Sequence, residues 1–269
     1  GKTSTFRPTL STITFAVVLI VSRNLVYAAL SMVVASAVLF FAYDLRLRKK
    51  FSDIVCRFET ANMGSLIVEA APLFVAAFIN MYINNAPKYA INRNFSDEVQ
   101  NYYNIIFMPA FVINLFSLFA FRPLLTELAR DWNDKNMKPF IKIVRNILLW
   151  ILLLTVVCMA GAYLIGAQIL GLVYGTSIIH LRKELAIVMF AGGISATATF
   201  LYYVITVMRK QKLLMAGYAL GFVCSLVLPA VLVPKFELMG AVISCGISMA
   251  VLAVTFSCIV AYQIAHNRE

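Results

Sequence analysis

The sequence predicts an all-α polytopic membrane protein with about eight transmembrane helices. The chain contains 62% hydrophobic and 13% charged residues, whereas apolar and charged residues make up about a half and a quarter of a soluble domain. Long stretches contain no Lys, Arg, Asp or Glu, and a bilayer core of roughly 30 Å needs about 20 such residues as a helix. These runs are continuous rather than alternating, which favours helices over a transmembrane barrel.

The charge-free stretches place the spans along the chain. Two spans lie within residues 1–44, and a basic linker follows at 45–65. Because the chain opens at Gly1 rather than Met, we expect it to begin partway through a longer protein, so that these two helices end an earlier bundle. Six more spans form a C-terminal six-helix bundle over 66–265. The expected limits of the six are about 66–86, 103–122, 143–162, 185–208, 212–233 and 238–263.

The basic residues predict the orientation of the chain. Of 23 Lys and Arg, 17 fall on the side of the loops after the second, fourth and sixth spans, and 6 fall on the other side. Because Lys and Arg are retained in cytoplasmic loops, both termini are expected in the cytoplasm. The same rule and attraction to anionic headgroups account for the net charge of +11, so no nucleic-acid partner is expected. The five cysteines show no metal-ligand spacing, and no cofactor or metal is expected.

Three short segments resemble parts of one transporter family. Residues 84–91 (NNAPKYAI), followed by Tyr102 to Met108 and Pro109, are similar to its seventh and eighth helices. Residues 169–175 (ILGLVYG) are similar to the loop after its ninth helix, and residues 234–241 (PKFELMGA) to the turn into its twelfth. In this order and spacing, they resemble the Wzx-type lipid-linked oligosaccharide flippases of the multidrug/oligosaccharidyl-lipid/polysaccharide (MOP) superfamily.

The resemblance implies a bacterial inner-membrane protein that makes and breaks no bond. It would flip undecaprenyl-pyrophosphate-linked oligosaccharide repeat units across the cytoplasmic membrane by alternating access, for O-antigen, capsule or exopolysaccharide synthesis. The expected partners are the lipid bilayer, the lipid-linked oligosaccharide, and the polysaccharide polymerase and chain-length machinery. A polar cavity between two helical bundles would carry the glycan, so the present chain alone is expected not to transport.

Polar residues within the spans are the candidates for lining such a cavity, because polar groups at lipid depth face the protein interior or a water-filled path. On the third span, Glu69, Asn80 and Asn84 fall within about 60° of one face at 100° per residue, and Lys88 lies just beyond. The alternative is that the asparagines bond a neighbouring helix while Glu69 and Lys88 mark the two interfaces. Asn114 on the fourth span is a further candidate.

Two other groups complete the candidate site. Lys88, Arg93 and Arg122 are the cations nearest a membrane path and would suit a pyrophosphate, although ordinary loop charges are the alternative. Ser195, Thr199 and Tyr202 belong to a small and hydroxyl-bearing stripe on the sixth span, which would either bond sugar hydroxyls or serve close helix packing.

Two other functional classes remain open. A MATE-like multidrug or cation antiporter shares the superfamily architecture, but ion coupling normally needs acidic groups deep in the membrane, and only Glu69 comes close. A membrane-embedded glycan polymerase or ligase would need an acid, base or metal cluster. The two histidines, His180 and His266, are expected on opposite sides of the membrane, so no enzyme activity is predicted.

Overall fold

The computed structural model describes residues 2–39, 60–174 and 181–266, and within these ranges the chain is helical with no strand. The predicted all-α class is therefore confirmed for the described residues. The helices are α1 (Lys2–Ser22), α2 (Leu25–Leu39), α3 (Thr60–Asn94), α4 (Asp97–Phe121), α5 (Leu125–Asn133), α6 (Met137–Gly161), α7 (Ala167–Tyr174), α8 (Arg182–Val207) and α9 (Gln211–His266).

The chain divides into two compact units, Gly1–Met63 and Gly64–Glu269. In the first unit α1 packs against α2, and the hydroxyl oxygens of Ser11 and Ser36 lie 3.0 Å apart. Most of the predicted basic linker, residues 45–59, lies outside the described residues, and its last six positions belong to α3. The predicted split into an earlier bundle and a six-helix bundle stays a prediction.

The second unit carries apolar helical runs long enough to cross a membrane. By length and composition there are four in the described residues: Asp97–Asn133, Met137–Tyr174, Arg182–Val207 and Gln211–His266. Their outer faces are apolar. On α6, for example, Leu152, Leu153 and Val157 are each more than half exposed, and a continuous exposed face of this kind suits lipid rather than water. The chain is thus membrane-embedded, while the count of eight spans stays a prediction.

The last apolar run, α9, is a helical hairpin rather than one rod. Its 56 residues would extend about 84 Å at 1.5 Å per residue, far more than a bilayer needs. At Glu237 the backbone leaves the helical region, with φ 49° and ψ −126°. Gly217 approaches Phe256, Gly221 approaches Leu252 and Gly240 approaches Leu232. The paired residue numbers sum to nearly the same value, so residues 211–236 and 238–266 run antiparallel.

The turn at Glu237 predicts an unusual order of substitutions. Its dihedral angles match the first central residue of a type II′ turn, a position that favours glycine. In a helix interior alanine is about 1 kcal/mol better than glycine, but here the order should reverse. Glu237→Gly is expected to be about 1 kcal/mol more stable than Glu237→Ala, because alanine keeps the strain of a positive φ. Thermal unfolding of the two purified variants in detergent measures this difference, and a more stable alanine variant would contradict the strained turn.

Helix α6 continues through a π-helical turn, Ala162–Gly166, into α7. This turn lies where the sequence offers Gly161 and Gly166 as a place to bend, and π-helical turns are common sites of helix distortion. Arg182, at the start of α8, contacts this turn: its guanidinium donates a 2.7 Å hydrogen bond to the carbonyl oxygen of Leu164. The same guanidinium lies 5.2 Å from the ring centroid of Tyr163. A cation and an aromatic ring therefore hold α8 against the distorted turn.

Helix α8 is the centre of the second unit, where it packs against α4, α6 and α9. Adjacent glycines allow this close contact. A Cβ on Gly192 would lie 2.9 Å from that of Ala110 on α4, and a Cβ on Gly193 would overlap Thr155 on α6. Small residues at such crossings let membrane helices approach closely. The small stripe on this helix thus serves packing at its glycines.

Candidate functional site

A cavity of about 250 Å³ opens between α3, α4, α8 and both halves of α9. We call it the carboxamide cavity, because three of its six polar lining residues are asparagines. The polar side chains that line it are Asn80, Asn84, Asn114, Ser195, Thr199 and Tyr218. The apolar ones are Phe111, Leu118, Ala198, Met249, Leu252 and Phe256.

The asparagines of α3 lie on one face because they are four residues apart. Asn84 Nδ2 donates to the carbonyl oxygen of Asn80 at 2.8 Å and lies 3.3 Å from Asn80 Oδ1. In the described part of the chain, the Asn114 side chain makes no protein hydrogen bond. A carboxamide offers two donors and one oxygen acceptor, so this cluster retains capacity to bond a ligand. Among the described residues, neither α3 asparagine forms a hydrogen bond to a neighbouring helix.

The hydroxyl stripe of α8 has two roles. Gly192 packs on Ala110, whereas Ser195 and Thr199 line the carboxamide cavity. Thr199 Oγ1 donates to the carbonyl oxygen of Ser195 at 2.9 Å, which leaves the oxygen lone pairs of Thr199 as acceptors. Tyr202, the third candidate of the stripe, is not a lining residue. Its ring instead meets that of Tyr218 with centroids 6.2 Å apart.

Aromatic rings complete the cavity, and these were not predicted from the sequence. Tyr218 and Phe256 both line it and meet edge to face with centroids 5.3 Å apart. The signal in the sequence was Gly217, one position before Tyr218, because a glycine at a helix crossing marks a face that a partner helix covers. The ring of Phe256 lies against Gly217, 2.6 Å from where a Cβ would stand.

The three basic candidates, Lys88, Arg93 and Arg122, do not line this cavity. Lys88 is half-buried on α3, one turn beyond Asn84, and Arg122 is exposed in the 3₁₀ turn after α4. Arg93 is exposed and lines a different cavity. Glu69 lies within α3, but its side chain lies outside what the structure describes. Five of the ten predicted site residues, Asn80, Asn84, Asn114, Ser195 and Thr199, therefore come together around one space.

The second cavity, which we call the arginine cavity, has a volume of about 540 Å³. It lies between the last turns of α3 and the first half of α9. Tyr82, Tyr89, Arg93 and Asn94 line it from α3, while Ser225, Pro229, Ala230 and Pro234 are among the residues that line it from α9. Asn84 and Arg93 are nine residues apart, which places them about 180° apart at 100° per residue. The two cavities therefore lie on opposite faces of α3.

Comparison with known proteins gives no relative. No protein-family model, no curated protein and no solved structure matches this chain. The functional argument therefore rests on the residues and their geometry.

The chemistry of the carboxamide cavity is that of a neutral, polar site within membrane-embedded helices. The twelve lining residues that the structure describes are all uncharged, so their hydrogen-bonding groups are amides and hydroxyls beside aromatic faces. Amides both donate and accept, as do hydroxyls. Such a lining matches a ligand group that carries many hydroxyls and no charge.

Proposed function

We propose that this chain is part of a transporter that flips lipid-linked oligosaccharide repeat units across the bacterial cytoplasmic membrane. The substrate would be an undecaprenyl-pyrophosphate-linked oligosaccharide for O-antigen, capsule or exopolysaccharide synthesis. The polysaccharide polymerase and chain-length machinery would act next on the product. One observation carries the proposal: the carboxamide cavity brings three asparagines, two aliphatic hydroxyls and a tyrosine together between the apolar helices of a membrane-embedded bundle.

A polar lining of this kind is costly in a membrane protein unless it serves a polar ligand or a neighbouring helix. The asparagines make no hydrogen bond to another helix among the described residues. Sugar hydroxyls would supply the donors and acceptors that the carboxamides need, and the faces of Tyr218 and Phe256 would cover the apolar side of a sugar ring. The volume is slightly below the range of about 300 to 1,000 Å³ for drug-sized ligands, so it suits one part of a repeat unit at a time.

The pyrophosphate requires cations, and the structure favours one of the three candidates for that role. Lys88 lies about 40° from Asn84 around α3 at 100° per residue, one turn further along. A glycan in the carboxamide cavity would therefore bring its pyrophosphate close to this side chain. Arg93 lies on the opposite face of α3 and Arg122 is exposed at the end of α4, so neither is assigned to this path.

The neutral lining also bears on the antiporter alternative. A drug or cation antiporter would be expected to place a carboxylate where its ion binds, and among the side chains that the structure describes no acidic one lines the carboxamide cavity. The residue on which that alternative rests is Glu69. If Glu69→Gln in the natural protein abolished an ion-dependent drug efflux, the antiporter would become the better interpretation.

A deletion strain separates the two functions. A strain that lacks the gene should lose most of its surface polysaccharide while its susceptibility to cationic drugs stays the same. The opposite pattern, with normal polysaccharide and a rise of several-fold in drug susceptibility, would contradict the flippase. Surface polysaccharide is measured on gels after extraction, and susceptibility by growth inhibition with a panel of cationic dyes.

A further inference from the structure

Helix α6 begins with a row of basic residues that the proposed transport does not use. Lys138, Lys142 and Arg145 are all exposed, and their spacing of four and three places them within about 60° of one face. We call these three residues the basic stripe. In the part of the chain that the structure describes, none of their side chains forms a hydrogen bond or an ion pair. The stripe therefore presents three uncompensated charges to an anionic partner.

The face of α6 that carries the basic stripe continues as an apolar face. Leu149, Leu152 and Val156 follow Arg145 at the same spacing of four and three, and each is half or more exposed. An exposed apolar face on a membrane-embedded helix contacts lipid chains. One face of α6 thus passes directly from hydrocarbon contact to a row of cations.

The length of the apolar run gives the depth of these cations. The stretch without Lys, Arg, Asp or Glu begins at Asn146, so Arg145 lies at the edge of the hydrocarbon core. Lys142 lies about 4.5 Å further out along the axis and Lys138 about 10 Å. Because each headgroup layer is about 5 to 8 Å thick, the first two cations lie within it and Lys138 lies just outside. Trp150, half-exposed about one turn inside, is an aromatic residue typical of this boundary.

This depth favours a lipid headgroup as the partner. The guanidinium of Arg145 matches the oxygens of a phosphate group, and Lys142 adds a point charge next to it. A zwitterionic headgroup would bring its own ammonium close to these cations, whereas an anionic headgroup brings negative charge alone. An acidic protein outside the membrane would contact Lys138 first and would not reach the deeper cations as readily.

We propose that the basic stripe binds the headgroups of anionic phospholipids. The lipid phosphate contacts Arg145 and Lys142, and Lys138 adds attraction from outside the headgroup layer. The acyl chains lie along the apolar face from Leu149 to Val156. This inference depends neither on the proposed function nor on which side of the membrane the stripe faces.

Fluorescence quenching by brominated lipids tests the selectivity at the stripe. The full chain has two tryptophans, so Trp132→Phe and Trp150→Phe remove them, and Leu149→Trp adds one next to the stripe. This chain is reconstituted in mixed vesicles of phosphatidylcholine and phosphatidylglycerol with identical acyl chains, and either lipid carries the bromine. One cation near the surface contributes about fivefold, so two predict a preference of about 25-fold for phosphatidylglycerol. Equal affinities for the two lipids would overturn the proposal.

Ionic strength provides a second measurement on the same chain. The Debye length falls from about 10 Å at 0.1 M salt to about 3 Å at 1 M salt. Because the preference is electrostatic, it should shrink several-fold between these conditions. A preference that does not change with salt would show that the stripe is not its cause.

Single substitutions then assign the preference to the three cations. Arg145→Gln and Lys142→Gln should each lower it about fivefold, since both side chains lie at headgroup depth. Lys138→Gln should lower it only about twofold, because its charge lies outside the headgroup layer and is screened. Equal effects of the three substitutions would contradict the depths given by the apolar run.

Arg130→Gln is the matched control for these substitutions. Arg130 is exposed on α5, but Thr126 and Glu127, its exposed neighbours one turn earlier, are polar rather than apolar. Loss of this charge should leave the preference for phosphatidylglycerol unchanged. If Arg145→Gln, folded as judged by circular dichroism, lowered the preference no more than Arg130→Gln, the assignment to the stripe would be wrong.

Discussion

Replacing Asn84 by leucine in the natural protein is expected to lower the transport of repeat units about tenfold. Asn84 lines the carboxamide cavity, and leucine has a similar size but no hydrogen-bonding group. A sugar hydroxyl that meets leucine there would be left unpaired in a low-dielectric site, at a cost of about 1 to 3 kcal/mol, and tenfold corresponds to about 1.4 kcal/mol. Surface polysaccharide in a deletion strain carrying the variant measures the loss, with protein amount checked by immunoblot.

The neighbouring asparagine provides the control for this prediction. Asn85 is half-buried on the same helix, and its Nδ2 donates to the carbonyl oxygen of Met81 at 2.8 Å. Asn84 makes the same bond to the carbonyl oxygen of Asn80 at 2.8 Å. Both positions are therefore half-buried asparagines with the same kind of backbone contact, and of the two only Asn84 lines the cavity. A strain with Asn85→Leu should keep normal surface polysaccharide. An equal loss of polysaccharide in both variants would show that the carboxamide cavity has no part in transport.

Replacing Gly240 by alanine is expected to destabilise the second unit by about 3 kcal/mol, the upper end of the usual cost of overpacking. A Cβ at this position would overlap the carbonyl oxygen of Leu232 and lie 2.6 Å from its carbonyl carbon. These are backbone atoms of the facing helix, so they cannot rotate away as a side chain could. The two halves of α9 would have to separate next to their turn. Thermal unfolding in detergent, followed by circular dichroism, measures the change.

Gly246 lies on the same half of α9 and provides the matched substitution. A Cβ there would lie 3.6 Å from the Cβ of Ala191, an ordinary contact. Gly246→Ala should be neutral or stabilising by up to about 1 kcal/mol, because alanine is the better helix former. A Gly240→Ala chain as stable as Gly246→Ala would show that the hairpin does not hold its halves at this distance.

The fold class could be predicted because few backbone structures are stable within a lipid bilayer. Continuous apolar runs must satisfy their own backbone, so their length and their charged limits predict helices. The turn near Glu237 lies between the predicted spans 212–233 and 238–263. Its positive φ could not be predicted, because nothing in a glutamate signals a conformation that glycine usually adopts. This turn brings the two halves of α9 into close contact, and the sequence indicates that contact only through Gly240.

The candidate site could be predicted in part. Asn80 and Asn84 share a face by spacing alone, and Ser195 and Thr199 recur at helical spacing, so their meeting in one cavity follows from helix geometry. Tyr218 and Phe256 could not be assigned to a cavity, because Gly217 marks only a face that another helix covers, and an aromatic residue in an apolar run gives no sign of which side a neighbour will leave open. Arg93 was grouped with Lys88 by charge, although the helix turns it to the opposite face. Periodicity relates residues within a helix, but only packing relates one helix to another.

The most direct test of the proposed function is to determine which leaflet holds the lipid-linked repeat unit when the gene is deleted. Spheroplasts of the deletion strain are treated with a glycan-cleaving enzyme that cannot cross the membrane, and intact repeat units are then counted. The flippase predicts that the repeat units accumulate in the inner leaflet and are protected from the enzyme, with loss of surface polysaccharide. Cleavage of the repeat units together with normal polysaccharide would contradict it.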